Sequence, residues 1–449
     1  MTKGAQRWIG PALGRHWPSS DLSRRAVLGL AAGTAAMLSP VAALAQSPLE
    51  ALQNYQMRAE WADRYDATVS ELNALKGNQP TLSPATASQI EQAIGVYQSI
   101  VARGGWPTLP EKGVKLRLGS RDRNVSVLRQ RLAVTGDLQE TSGRPDTFDS
   151  YVDTAVRRFQ IRHGLVPDGV VAGATIAALN VPAAERLRQL ELNLVRVRAM
   201  SGFLGDRYVM VNIPAAEIEA VDHGVVHSRH VGVVGKIDRP SPLISAKIQE
   251  INFNPYWHVP VSIIRKDLIP KMKADPQYLA KNKIRIYDGK GGELQPTDID
   301  WNTEQATQYM FRQEPGTENS MGSVKINFPN PESVYMHDTP AKNLFGQNAR
   351  FHSSGCVRVQ NVREMGGWLL AETPEWPRER IDQAIRTGER IDAKLKAPVP
   401  VYFVYITAWS TPDGLVNFRD DIYQRDVSDA VAMNTAPAGN PDDNFTLPQ

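Results

Sequence analysis

The spacing of apolar residues predicts helices in the first part of the chain. Residues 49–75 and 85–101 carry apolar side chains at the three- and four-residue intervals of a helix. The prolines that lie between and after these segments would end helices there: Pro80, Pro84 and Pro107. We therefore predict a helical scaffold over residues 46–115, with no catalytic chemistry in it.

A compact helical module is predicted over residues 116–182. Its first helix carries Val125, Leu128 and Leu132 at approximate helical spacing. Asp149 is placed to cap a second helix, and a turn follows at residues 163–169. Residues 183–200 are again helical in pattern, so residues 183–207 are expected to return to the scaffold and lead into the next domain.

From Tyr208 onward, the pattern changes to the alternation and short apolar runs of β-strands. The predicted strands are residues 208–213, 217–221, 230–234, 247–253, 324–328, 333–336 and 399–406. They indicate a mostly β domain over residues 208–426, interrupted by a Lys-rich insertion at about residues 262–310 that is helical in places. Residues 427–449 are rich in Ala, Asn, Pro and Asp, and we predict a disordered tail there.

The N-terminus has the pattern of an export signal. Arg24 and Arg25 precede an apolar run of small residues, and Ala43-Leu44-Ala45 forms a cleavage site before Gln46. The paired arginines resemble a twin-arginine signal, with an ordinary secretory signal or an uncleaved anchor as alternatives. Cleavage near Ala45 would leave an exported, periplasmic protein without a membrane span.

Charge and cysteine content exclude several classes of function. The net charge of +3 arises in residues 1–45, and the remaining residues hold 46 basic against 47 acidic side chains. Nothing in this balance favours binding to nucleic acid or anionic lipid. One cysteine among 449 residues excludes an internal disulfide and any zinc site that needs two cysteines.

That cysteine, Cys356, is the strongest candidate for a nucleophile. Ser354 and Gly355 are small enough to let the backbone approach a substrate closely, and Arg358 supplies a positive charge two residues later. In an extended segment, Cys356 and Arg358 point to the same face. An inert, buried cysteine is the alternative.

Histidine supplies the candidate bases. His223, His227 and His230 are spaced like a metal cluster, but Asp222 is the only carboxylate beside them, and no metal site is expected. His258 could line a cleft, although a core or surface position is favoured. His352 is four residues before Cys356, and in an extended loop that is too far for its short side chain to reach back easily. His337 follows a strand and precedes Cys356 by 19 residues, which suffices for a returning loop.

The run from Tyr335 and His337 to Ser353-Ser354-Gly355-Cys356-Val357-Arg358 resembles the catalytic motif of the L,D-transpeptidase (YkuD) family. It is most similar to large periplasmic members with scaffold, peptidoglycan-binding and catalytic domains, and residues 116–181 resemble the peptidoglycan-binding domain family. Supporting matches are Asn254-Pro255-x-Trp257-x-Val259-Pro260, Met321-Gly322-x-Val324-Lys325, Phe328-Pro329-Asn330 and Asn417-Phe418-Arg419-Asp420-Asp421-Ile422-Tyr423. The motif departs from the commoner pattern at Ser354, where a histidine is usual.

The resemblance implies a multidomain α+β chain whose β-sandwich catalytic domain carries a capping-loop insertion. It implies that the Cys356 thiolate attacks the third stem residue, meso-diaminopimelate, releases D-Ala, and leaves a thioester that a second stem resolves as a 3→3 cross-link. His337 would act as general base and acid, held by a backbone carbonyl. It also implies that a carbapenem acylates Cys356. No metal or other cofactor is needed.

The resemblance also assigns supporting roles around this pair. Backbone N–H groups near Gly355 and Cys356 would bind the oxyanion. Tyr335, Ser354 and Arg358 are candidates for positioning the substrate or stabilising charge. Trp257 and His352 are candidates for lining the cleft.

Several alternatives remain open. Water as acceptor would make the protein an L,D-carboxypeptidase, and an amine of an outer-membrane protein would make it an anchoring enzyme. A sortase-like enzyme also orders His, Cys and Arg along a β domain. A wall-binding protein without catalysis belongs to a different class. The expected partners are peptidoglycan tetrapeptide stems, and glycan binding by residues 116–182 stays open.

Overall fold

The computed structural model describes residues 77–139, 143–202 and 204–429. The predicted export signal, the helix predicted at residues 49–75 and most of the predicted tail lie outside the described residues. Within them, no helix has both the length and the apolar character needed to cross a membrane.

Five helices precede the first strand of the described chain. They are α1 (Pro84–Ala102), α2 (Arg123–Val134), α3 (Ser150–Arg162), α4 (Gly173–Asn180) and α5 (Ala183–Ser201). Short polar residues begin the first three: Ser83, Asp122 and Asp149 each accept a hydrogen bond from a backbone N–H of the first turn. Helices α2, α3 and α4 enclose a core of their own around Leu128, Phe148 and Phe159.

Helices α1 and α5 share a second core with part of the β domain. Ile90 and Tyr97 of α1 and Leu190 of α5 lie in one cluster with apolar residues of strands that follow. Helices α2 to α4 form a three-helix module. Because α1 and α5 flank it in sequence and pack on the β domain, they attach this module to that domain.

A nine-stranded sheet forms the centre of the β domain. Its strands are β1 (Arg207–Asn212), β2 (Glu217–Asp222), β3 (Val225–Gly235), β4 (Ile244–Phe253), β9 (Val324–Asn327), β10 (Met336–His337), β11 (Phe351–Ser353), β12 (Val357–Val359) and β13 (Ile391–Val404). They lie in the order β11-β3-β12-β10-β9-β4-β13-β1-β2. Strand β3 also pairs with β2, so the hydrogen bonding closes on itself. Helices α9 (Val362–Leu369) and α10 (Arg378–Thr387) pack against its main core.

The insertion is a folded unit with its own sheet and core. It contains β5 (Trp257–His258), α6 (Val261–Ile263), a π-helical turn (Ile264–Leu268), α7 (Ile269–Ala274), α8 (Tyr278–Lys281), β6 (Ile284–Tyr287), β7 (Glu293–Leu294) and β8 (Met310–Gln313). The four strands pair in the order β5-β8-β6-β7 over a core that includes Ile264, Leu279 and Phe311. Residues 257–313 are called the insertion below.

A two-stranded hairpin, β14 (Ala408–Ser410) with β15 (Val416–Phe418), completes the described strands. The predicted fold class, α+β with a mostly β catalytic domain and helices before it, is confirmed by this arrangement. The strand predicted at residues 333–336 is wrong in its bounds. Ser333 has a φ of +54°, so the chain turns there, and the strand begins only at Met336.

Candidate active site

Strands β10 and β12 bring the two segments of the predicted motif together. They are parallel neighbours, with Met336 opposite Val357 and His337 opposite Arg358. Met336 and Val357 are both 0% exposed and belong to the main core. Because side chains alternate along a strand, the residues on either side of them share the opposite face. That surface, called the site face below, carries Tyr335, His337, Cys356 and Arg358.

The Cys356 thiol lies among groups that lower its pKa, but burial raises that pKa by more. Burial raises the pKa of the Cys356 thiol. Hydrogen bonds from the backbone and side chain of Tyr335, and the charges of Lys325 and Arg358, act in the opposite direction. The net direction is upward, so the resting thiol is protonated at neutral pH.

His337 is buried and oriented by the residue that follows it. Its Nδ1 lies 2.5 Å from the carbonyl oxygen of Asp338. Since a carbonyl only accepts, Nδ1 carries the proton and Nε2 is left unprotonated. Burial, followed by the positive charge of Arg358, lowers the pKa of His337 to about 3. The imidazole is therefore neutral at neutral pH, and so is the Cys356 thiol.

The Asp338 carboxylate anchors the backbone that holds this histidine. It accepts hydrogen bonds from Ser323 N at 3.0 Å and Ser323 Oγ at 2.9 Å, and it forms an ion pair with Lys342. Burial alone would raise the pKa of Asp338, but Lys342 and the N–H donors hold it below its usual value. Gly322 permits the approach, because a Cβ there would lie 2.4 Å from Asp338 Oδ2.

The loop before Cys356 turns sharply and presents one unused amide. Gly355 has a φ of +114°, a conformation that favours glycine. Its N–H donates to Ser353 Oγ at 3.2 Å, and Val357 N–H donates to Tyr335 O at 3.1 Å. Between them, the Cys356 N–H has no acceptor among the described residues.

The side chain of Ser354 is exposed and joins the loop to the insertion. Its Oγ accepts a hydrogen bond from Arg239 Nη1 at 3.0 Å. The same guanidinium forms an ion pair with Asp267 of the insertion at 2.5 Å. Ser354, at the position where the commoner motif has a histidine, therefore forms one end of a bridge that runs through Arg239 to Asp267.

The insertion also reaches the site face through an aromatic residue. The Tyr335 side chain makes hydrogen bonds with Trp257 and with Cys356, and burial raises its pKa. Of the two predicted cleft residues, the structure thus places Trp257 beside the motif. His352 is exposed, and its Nε2 lies 2.9 Å from Ala349 O within its own loop.

The sequence places Lys325 in a supporting match but assigns it no role at the site. Strand β9 places Lys325 directly opposite His337, and its Nζ lies 4.5 Å from the centre of the Tyr335 ring. Burial lowers the pKa of Lys325. The alternation in Val324-Lys325-Ile326 indicates that Lys325 faces away from the core, but only the pairing of β9 with β10 shows which neighbours it meets.

The histidines spaced like a metal cluster have separate surroundings. His230 is buried between Gln360 O and Ser228 Oγ, each 2.9 Å from a ring nitrogen. His227 stacks against Trp368, and His223 contacts Asp222. Across residues 77–139, 143–202 and 204–429, no group of three or more His, Cys, Asp or Glu side chains is arranged to hold a metal ion.

Comparison with known proteins identifies two domains. Residues 206–391 match the YkuD family of L,D-transpeptidase catalytic domains, and residues 121–179 match a peptidoglycan-binding domain family. A Haemophilus influenzae protein whose name assigns it to the L,D-transpeptidases is 32% identical over 234 residues, which cover 52% of this chain and 47% of that protein. The chain thus aligns with about half the length of this relative.

Two further likenesses are more limited. An N-acetylmuramoyl-L-alanine amidase of Mycobacterium tuberculosis is 43% identical over 77 residues, covering 15% of this chain and 19% of the amidase. An L,D-transpeptidase structure from Xylanimonas cellulosilytica covers 66% of this chain and 100% of its own length, at 16% identity and a TM-score of 0.22. That score is too low to support an argument, and the domain assignment rests on the sequence matches.

Proposed function

We propose that this chain, whose residues 206–391 are an L,D-transpeptidase catalytic domain and whose residues 121–179 are a peptidoglycan-binding domain, is a cysteine acyltransferase of peptidoglycan stem peptides. One observation carries the proposal. The β10–β12 pairing places the single cysteine and His337, an oriented neutral histidine, on one face of the same domain.

The first step begins from an uncharged pair. His337 Nε2 takes the Cys356 proton as Sγ attacks the substrate carbonyl carbon, so a C–S bond forms and the π electron pair moves to oxygen. The resulting imidazolium then gives its proton to the leaving amine as the C–N bond breaks. A thioester on Cys356 and a free amino acid remain.

Two cationic side chains make the site face favourable for negatively charged groups. Lys325 and Arg358 both act on Cys356 electrostatically, and both have their pKa lowered by burial. They stabilise the thiolate as it forms and suit a substrate with carboxylates beside the reacting bond. A stem that ends in meso-diaminopimelate and D-Ala has such carboxylates, and D-Ala is the proposed leaving group.

The second step requires an amine in place of water. We assign the acceptor as the side-chain amine of a second meso-diaminopimelate, which gives a 3→3 cross-link. The insertion supports this choice, because its Trp257 contacts Tyr335 and its Asp267 pairs with Arg239, which donates to Ser354. A closed insertion limits the access of water to the thioester.

Hydrolysis to the tripeptide and attachment to an outer-membrane protein differ from this reaction only in the acceptor. Both would use the same thioester. Export to the periplasm, through the pattern in residues 1–45, is part of the proposal because the substrate lies there. Sortase-like and non-catalytic wall-binding functions are not favoured by the two family matches and the assembled site.

Intact-mass spectrometry tests the covalent step. The chain is mixed with disaccharide-tetrapeptide and quenched in acid, alongside Cys356→Ala and His223→Ala, a variant of an exposed histidine in the β2–β3 turn. Wild type and His223→Ala should gain the mass of the disaccharide-tripeptide less one water, as a thioester requires, and Cys356→Ala should not. A carbapenem is a second acylating probe. A folded wild-type protein that gains no mass from either compound contradicts the proposal.

A further inference from the structure

Ser241 lies beneath the catalytic loop, 114 residues before it in sequence. It belongs to the loop between β3 and β4 and is 0% exposed. Its Oγ donates to the carbonyl oxygen of Gly355 at 2.7 Å and accepts from Gly235 N–H at 3.0 Å. Both hydrogen-bonding roles of this hydroxyl are therefore used, and one of them acts on the residue before the nucleophile.

The peptide bond between Gly355 and Cys356 carries this contact to the nucleophile. In a trans peptide, the C=O and the following N–H point in opposite directions. When Ser241 holds the Gly355 carbonyl toward the buried side of the loop, the Cys356 N–H must point away from that side. The neighbouring amides of Gly355 and Val357 already have acceptors, as described above.

We propose that Ser241 is a positioning residue that aims the Cys356 N–H at the oxyanion formed during acyl transfer. The inference rests on the proposed function and assigns a role to a residue outside the catalytic motif. During attack, the C–S bond forms, the carbonyl π pair moves to oxygen, and that oxygen accepts from the Cys356 N–H. When the oxyanion collapses, the leaving group departs, and Ser241 itself exchanges no proton.

Ser241 is itself held in place from two directions. Gly235 lets the loop fold back tightly, because a Cβ there would lie 2.3 Å from Arg239 O and 2.5 Å from Ser241 N. The Tyr423 hydroxyl accepts from Ser241 N–H at 3.2 Å and donates to Gly235 O at 2.5 Å. A hydroxyl fixed at this position can orient a peptide group without rearrangement during the reaction.

Two reagents separate a role at the oxyanion from a role at the thiol. Acylation of Cys356 by p-nitrophenyl acetate passes through a tetrahedral oxyanion, and it is followed by the first equivalent of p-nitrophenol released. Alkylation by iodoacetamide displaces iodide without forming an oxyanion. The ratio of the two rate constants at one pH reports the oxyanion contribution alone and requires no peptidoglycan substrate.

The variants are Ser241→Ala, Ser241→Thr and Ser410→Ala, each checked by thermal melting. Ser410 is a matched control, since it is buried and its Oγ donates to the Leu415 carbonyl at 3.3 Å in the β14–β15 hairpin. Loss of an oxyanion donor costs about 100- to 1,000-fold in rate, so a misaligned donor should cost at least about 10-fold. Ser241→Ala should lower the acylation-to-alkylation ratio by that factor, Ser241→Thr should restore part of it, and Ser410→Ala should leave it unchanged.

Other outcomes overturn the inference. An unchanged ratio in Ser241→Ala, or a parallel fall of both rates, would show that Ser241 does not act on the oxyanion. If the acylation-to-alkylation ratio of the wild type is no higher than that of free cysteine, the site does not stabilise the oxyanion, and Ser241 has no such role. The proposed function fails separately, when wild type acylates with the ester but never with disaccharide-tetrapeptide.

Discussion

Arg239 forms an ion pair with Asp267 at 2.5 Å and so joins the β3–β4 loop to the insertion. Because the same guanidinium donates to Ser354, the pair connects the insertion to the residue two before Cys356. This bridge would couple the proposed closure of the insertion to the loop before Cys356, and it gives the first prediction.

Asp267→Asn should increase hydrolysis relative to cross-linking. A partly exposed pair contributes about 1 kcal/mol, which corresponds to opening of the insertion about fivefold more often. Tripeptide and 3→3 dimer are quantified by chromatography from one reaction. Glu304→Gln is the matched control, because it breaks the exposed Arg265–Glu304 pair of the same insertion. Equal product ratios in both variants and wild type would mean that the bridge does not control water access.

Acylation should not lose rate between pH 7 and pH 5. The pKa of His337 is lowered to about 3, so its neutral, basic form persists through this range. With an ordinary histidine pKa of about 6.5, the acylation rate would fall about 25-fold between pH 7 and pH 5. The measurement is the p-nitrophenyl acetate burst rate across this range. A fall in rate with a midpoint near pH 6.5 would contradict the lowered pKa of His337.

Lys325→Met should slow acyl transfer and make the thiol harder to ionise. Lys325 lowers the pKa of Cys356, so removing its charge moves that pKa further upward. We expect about a 10-fold loss in kcat/KM, and the pH dependence of iodoacetamide alkylation should shift to higher pH. Lys247→Met, a change to an exposed lysine on β4, serves as control. Identical alkylation profiles for the two variants would rule out an electrostatic role for Lys325.

Lys342→Met should destabilise the fold, because it leaves the buried Asp338 carboxylate without its cation. Breaking a buried pair costs about 3 kcal/mol, whereas breaking the exposed Arg390–Asp392 pair with Arg390→Met should cost under about 1 kcal/mol. Denaturant unfolding at pH 7 measures both. The folded pKa of Asp338 is below its usual value, so its contribution is complete above about pH 4 and is lost as pH falls further. Equal unfolding free energies for the two variants would contradict this role.

Part of the geometry of the candidate site could be predicted from the sequence, because strand alternation is local. The period of two puts Cys356 and Arg358 on one face, and the reach of a returning loop favours His337 over His352. In the structure, Cys356 and Arg358 lie on one face, as the pairing of β12 with β10 shows. The same reasoning placed the start of the strand before His337 too early, since the turn at Ser333 depends on a single positive φ.

Residues that reach the site through long-range pairing could not be found this way. Lys325 meets His337 only through the register of β9 with β10, and Ser241 meets Gly355 only because two loops pack together. Tyr423, which holds Ser241, lies beyond residue 391, where the match to the catalytic domain family ends. Register and loop packing are tertiary properties, and no local pattern encodes them.

The most direct test is mass spectrometry of the muropeptides formed from disaccharide-tetrapeptide by the purified chain and its Cys356→Ala variant. The account predicts a 3→3 dimer and free D-Ala with the wild type, and neither product with the variant. Tripeptide and D-Ala without dimer would identify a carboxypeptidase and contradict cross-linking. Equal dimer formation by Cys356→Ala would contradict the cysteine mechanism itself.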